Sequence, residues 1–266
     1  MPLRPVRRPR PLLPSLLLAG LIAARAVGAQ TVGGAAPAAT AVPAAEALIA
    51  RHDSLVGGRA AFERLTSMRL VGTFGVPMVG LEAPLEIVKV KPGRFLLRAT
   101  LGPMGELLTG HDGTVAWSIQ PGQGPRVLQG PEAAMLATQA DFFSDLHDLR
   151  QFTAMEARPV ERFEGRDAYP VRLVRRGGEV LTEYFDAVTG LSAGVRTSVA
   201  GPQGPMEIVA VLADYQRFGD LLLPTTRIQR TSMLETVLRV TTVEYDRADA
   251  AATALPESVR ALVPPR

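Results

Sequence analysis

The densest cluster of groups able to do chemistry is Asp141, Asp145, His147 and Asp148. On a helix the three carboxylates would share one face at spacings of four and three, with His147 pointing elsewhere. Such a triad could hold a hard cation. A solvated acidic helix face accounts for it without any ligand, so no metal site is assigned. His52 falls on or beside the apolar stripe of an amphipathic stretch and reads as a packed or half-exposed histidine. Asp112, between His111 and Gly113, reads as a turn residue. The sequence has no Gly-x-Ser-x-Gly, no His-Glu-x-x-His and no P-loop, and Gly122-Gln123-Gly124 lacks the remaining glycine of a dinucleotide fingerprint. With 3 histidines and 0 cysteines, thiolate catalysis, Cys-ligated zinc, iron–sulfur clusters and disulfide scaffolds are excluded. No catalytic residue and no cofactor is assigned, and the expectation is a protein that is not an enzyme.

The positions that could hold such groups belong to a chain of 266 residues, enough for one sizeable core. Its 29 Lys and Arg against 26 Asp and Glu suggest a basic protein. Arg4, Arg7, Arg8, Arg10 and Arg25 all lie in the first 29 residues, which carry no acid. Without them the balance is slightly negative, and nucleic acid is not an expected partner. The same segment has the parts of a secretory signal: a basic stretch, an apolar run from Leu12 to Ala24, and small residues before Gln30. The run is too short to span a bilayer. Residues 1–29 are therefore expected to be a signal peptide cleaved after Ala29 by the general export route, placing the protein in the periplasm. Residues 30–43, uncharged and rich in Ala, Gly and Pro, read as a flexible spacer.

From residue 44 the texture is that of a folded domain, taken to run to 250, with a tail at 251–266 holding a possible short helix. Helical spacing predicts a first helix over 44–56, stopped by Gly57-Gly58, and a second over 60–65. Thirteen strands follow, at 69–76, 85–90, 94–101, 106–111, 115–119, 152–160, 162–164, 168–175, 179–186, 191–199, 206–218, 225–230 and 236–245. The breaks between them are turn sequences such as Lys91-Pro92-Gly93 and Phe218-Gly219-Asp220. Hairpin after hairpin without helical crossovers predicts an antiparallel sheet. The one later helical insert spans 130–149, with Pro131 at its first turn and Ala133, Leu136, Ala140, Phe143 and Leu146 in period.

Several strands alternate, Phe95, Leu97 and Ala99 against Arg98, or Val115, Trp117 and Ile119 against Ser118, so each should bury one face. So long a sheet must twist and curl, and only about three helices are available to cover its concave face. The expected inward, ligand-contacting set is Phe74, Val76, Met78, Leu85, Ile87, Phe95, Leu97, Met104, Val115, Trp117, Ile119, Leu136, Phe143, Val171 and Leu173. Met78 and Met104 sit in Gly- and Pro-containing turns, as rim groups.

The runs Leu55-Val56-Gly57-Gly58-Arg59-Ala60-Ala61, Leu70-Val71-Gly72-Thr73-Phe74, Gly110-His111-Asp112-Gly113-Thr114-Val115-Ala116-Trp117, Ala140-Asp141-Phe142-Phe143, Glu164-Gly165-Arg166-Asp167-Ala168-Tyr169, Tyr184-Phe185-Asp186-Ala187-Val188-Thr189-Gly190-Leu191 and Leu223-Pro224 resemble, in this order, the bacterial outer-membrane lipoprotein-sorting superfamily (LolA/LolB-like), in an uncharacterised branch. The resemblance spans residues 45–248 and rests on turns and strand ends. It implies an α+β fold: a single strongly curved antiparallel half-barrel, with helices covering a hydrophobic cavity that holds acyl chains. It carries over no lid-locking arginine and no acceptor loop. The reading that follows is a monomeric periplasmic carrier of lipid or lipoprotein acyl chains, served by a membrane-bound donor or acceptor, with the helix at 131–149 as its lid. The alternatives are an envelope-stress sensor on the same fold and a secreted hydrolase.

Overall fold

The computed structural model describes residues 41–201 and 204–263; the expected signal peptide and all but the end of the spacer lie outside them. Two helices come first, α1 (Ala45–Leu55) and α2 (Gly58–Glu63). In α1 the buried residues Ala45, Leu48, Ile49 and His52 follow the i, i+3, i+4, i+7 stripe of an amphipathic helix. Gly57, with φ +125°, makes the tight turn between the helices, and a Cβ there would meet Leu221 and the Asp220 carbonyl.

The strands are β1 (Ser67–Val76), β2 (Leu81–Val90), β3 (Arg94–Thr100), β4 (Glu106–Asp112), β5 (Ala116–Gln120), β6 (Gly124–Val127), β7 (Phe152–Ala157), β8 (Glu161–Phe163), β9 (Arg166–Arg175), β10 (Val180–Asp186), β11 (Ser192–Gly201), β12 (Gly204–Phe218), β13 (Leu221–Arg230) and β14 (Glu235–Tyr245). They form one open sheet in the order β6-β5-β4-β3-β2-β1-β14-β13-β12-β11-β10-β9-β7, with β8 hydrogen-bonded to β9. Every pairing is antiparallel, and β1 against β14 joins the two halves. This is the predicted α+β architecture, a curved antiparallel sheet with helices on its concave side. The strand missed in the sequence is β6; Gly122 and Gly124, both at positive φ, belong to the β5–β6 hairpin.

Helices cover most of the concave face. Helix α1 packs on Val171, Leu173, Leu181 and Phe185. Ala61 and Phe62 of α2 pack with Phe142 on Met68, Leu221 and Leu223. Helix α3 (Gly130–Ala140) lays Leu136 and Ala140 on Phe95 and Ala116, with Ile87 and Leu97 at the margin. The insert is therefore helical for only half of the predicted 130–149. At Asp141 the backbone turns extended (ψ 124°) and its carboxylate accepts from the Phe143 N–H, a turn that competes with the next helical hydrogen bond. Asp141, Asp145 and Asp148 thus share no helix face.

The convex face is covered too. Val259 of the one-turn helix α4 (Glu257–Arg260) packs into a cluster with Val88, Val90, Leu96 and Trp117, bordered by Leu108, Ile119 and Leu255. This overturns the expected phase of β5: Trp117 and Ile119 face the C-terminal segment, and their neighbours Ala116 and Ser118 face the concave side. Alternation could not give the sign, because the strand is buried on both faces, with Ser118 only 3% exposed.

Candidate functional site

Open on the concave side is a cavity of about 470 Å³, bounded by α1, Arg59 of α2, the segment 138–152 and strands β9 to β13. Leu173, Leu181, Val195, Ala210 and Leu212 make an aliphatic strip across four strands. In the register Leu173 pairs with Leu181 and Val195 with Ala210, Glu183 stands opposite Val195 between these two pairs, and Leu212 lies opposite Arg227. Of the predicted contact residues, Phe143 and Leu173 line this cavity. Phe95, Ile87, Leu97 and Leu136 lie beneath α3, Val171 under α1, and Trp117 and Ile119 on the opposite face. Leu85 and Val76 are buried along β2 and β1, Phe74 and Val115 are half-buried, and Met78 and Met104 stand exposed on hairpin tips.

The polar wall was not foreseen. His147 reaches from the insert to two elements at once. Its Nδ1 lies 2.7 Å from Asp53 Oδ1 on α1, its Nε2 2.8 Å from Glu183 Oε2 on β10, and its backbone N–H donates to Asp53 Oδ2 at 3.1 Å. Burial alone would push the imidazolium down. Glu183 and Asp53 override it and raise its pKa to about 10, so both ring nitrogens donate. Burial would likewise raise Glu183, but the His147 charge holds it at about 2. His52, 5.7 Å from His147 ring to ring, is the opposite case: burial lowers its pKa, so it is neutral. Its Nδ1 accepts from the Ser192 N–H at 3.0 Å, which puts the ring proton on Nε2.

Two further tethers hold the insert. Asp145 accepts from Arg227 at 2.7 Å; burial would raise its pKa, but Arg227 and Lys89 bring it to about 2. Ser144 Oγ lies 2.6 Å from Lys89 Nζ, which also reaches the Asp141 carbonyl at 3.5 Å; burial lowers the Lys89 pKa. The expected acidic cluster is therefore divided. Asp145 enters an ion pair with Arg227 in the cavity wall, while Asp148 caps Leu149–Gln151 and pairs with Arg150. Among the described residues no group of three His, Cys, Asp or Glu is arranged to hold a metal ion.

His147 has both nitrogens committed to carboxylates, and among the described residues no serine or threonine hydroxyl hydrogen-bonds a histidine. An apolar strip facing charged and hydroxyl groups across one space suits an amphiphile.

No protein-family model matches the chain, and neither does any curated protein. Among solved structures, a DUF1329 family protein from Desulfovibrio piger is 10% identical with a TM-score of 0.53, over 79% of this chain and 99% of that one. A LolA superfamily protein from Nitrosomonas europaea is 10% identical with a TM-score of 0.49, over 80% and 98%. What the likeness to the Desulfovibrio protein shows is the fold: an open, curved antiparallel sheet with helices on its hollow side.

Proposed function

We propose that this chain is an exported, periplasmic carrier that holds an acyl chain of a lipid or lipoprotein non-covalently, as a monomer, and exchanges it with a membrane-bound donor or acceptor. The observation that carries this reading is the open space beside Val195, Ala210 and Leu212, an aliphatic surface that runs on to Leu181 and Leu173 at the edge of α1. Each methylene buried against it is worth ~0.8 kcal/mol, so no covalent step is needed to retain a chain. The segment 141–148, with Thr138 at the end of helix α3, borders the cavity; it is pinned through Ser144, Asp145 and His147, and its displacement would release cargo. Denaturing extraction of residues 30–266 purified from a bacterial envelope, followed by lipid mass spectrometry, should yield acyl cargo. A clean extract from protein that also fails to bind a fluorescent fatty-acyl probe would overturn the reading.

Hydrolysis, the second reading, has one observation in its favour: the 2.6 Å contact between Ser144 Oγ and Lys89 Nζ at the cavity edge, where burial disfavours the ammonium. A neutral Lys89 could take the serine proton as Oγ attacks an ester carbonyl and return it to the alcohol that leaves as the ester C–O bond breaks, with water later cleaving the acyl-serine to free the acid. Carriage is preferred because the same lysine also holds the Asp141 carbonyl, which accounts for the contact as a tether. Covalent capture of Ser144 by a fluorophosphonate, lost in Lys89→Met, would favour hydrolysis.

A further inference from the structure

The carrier reading leaves the head of the ligand unspecified, and the polar side of the cavity narrows it. Ser144, Arg227 and His52 all line the space. Ser144 Oγ accepts from Lys89, so its own O–H remains to donate. Arg227 spends one amino group on Asp145 and keeps 41% of its side-chain surface accessible, facing the space it lines. His52 is 4% exposed, its Nδ1 is occupied by the Ser192 N–H, and its protonated Nε2 has no protein partner among the described residues. The free groups of these three residues are donors, which suit an acceptor.

Charge places that acceptor at one end. His147 between Asp53 and Glu183 leaves one negative charge in excess on the α1 side. At the other end two cations share one carboxylate: Asp145 pairs with Arg227 at 2.7 Å and also faces Lys89, whose own hydrogen bonds among the described residues go to a hydroxyl and a carbonyl. An anionic head at Ser144 and Arg227 would give these two cations a second partner. Leu212, directly across the register from Arg227, begins the aliphatic strip from that point. A volume of about 470 Å³ lies toward the lower part of the ~300–1,000 Å³ typical of ligand pockets, room for one chain rather than several.

We propose, resting on the carrier reading, that the ligand is a single-chain fatty-acid carboxylate: its head is held by the Ser144 hydroxyl and the Arg227 guanidinium with Lys89 behind them, and its tail runs along Leu212, Ala210, Val195 and Leu181. The two oxygens of the monoanion can accept from both donors at once.

The test is displacement of a fluorescent acyl probe from the intact protein by palmitate and by methyl palmitate, which share a tail. Palmitate should compete at least about tenfold better, the scale of a hydrogen bond to a charged group. Ser144→Ala should remove about three- to tenfold of the palmitate advantage, and Arg227→Gln the rest, with circular dichroism confirming folded protein. Methyl palmitate should bind wild type and variants alike. Acid and ester competing equally on wild type would overturn the head assignment while leaving the carrier intact. A preference for palmitate that survives in both variants would also overturn it. If neither ligand competes and the probe itself does not bind, the carrier reading fails instead.

Discussion

Glu183 on β10 and His147 of the insert, 36 residues apart in sequence, meet at 2.8 Å, and Asp53 of α1 closes on the same ring at 2.7 Å. One imidazolium thereby ties three elements together. Because its side chain is only 12% exposed, and Glu183's 9%, the pair resembles a buried ion pair more than a surface one.

Removing His147 leaves two carboxylates facing each other across the vacated ring. His147→Ala should cost about 3–5 kcal/mol in chemical denaturation, the range for breaking a buried pair from one side. An exposed pair gives the comparison: Arg59→Ala, which breaks a surface pair with Glu63, should cost less than about 1 kcal/mol.

The same cluster sets a pH dependence with two limbs. His147 is raised to about 10, so its stabilisation is complete below an unfolded value near ~6.5 and is lost as pH climbs toward 10. Glu183 and Asp145 are held at about 2, so their contribution is complete above ~4 and is lost as pH falls toward 2. Denaturation midpoints should therefore decline as pH climbs from about 6.5 toward 10 and as it falls below about 4.5, with buried neutral His52 adding a decline that begins as pH drops below ~6.5. In His147→Ala the alkaline limb should flatten; an unchanged limb would place its origin elsewhere.

Trp117 is the only tryptophan in the chain and is 1% exposed beneath the C-terminal segment. Val259→Asp, which puts a charge into that contact, should shift Trp117 emission to the red and reduce stability. An unshifted emission maximum would mean that the tail does not cover β5.

The phase of β5 gives a three-variant test. Ser118→Glu and Ile119→Glu should both be severe, since one faces the concave side and the other the C-terminal segment. Leu97→Glu, on the concave face beside α3, should loosen that helix. A mild Ser118→Glu, measured by thermal unfolding, would restore the one-sided strand that alternation alone suggests.

The fold was legible because hairpin turns and period-two runs are local signals: α1, the insert's start at Pro131 and nearly every strand can be located from neighbouring residues. The errors share a cause. Alternation says that a strand has two faces but not which one meets what, and at β5 both are buried by segments distant in sequence. Helical period said nothing about Asp141, whose side chain captures a backbone N–H and ends α3. The polar wall was invisible for the same reason: His52, Asp53, His147, Glu183 and Arg227 are brought together only by the curl of the sheet. The one available signal was a charged residue inside an apolar strand, as with Glu183 between Leu181 and Phe185.

The central claim is that the space beside Leu212 is a binding site. Ala210→Trp, which would fill it from the sheet, measured against wild type by equilibrium titration with a fluorescent fatty-acyl probe, tests this most directly. Saturable one-to-one binding in wild type, lost in Ala210→Trp while the protein's thermal unfolding stays cooperative, is the result expected. Equal binding by the filled variant would contradict the account.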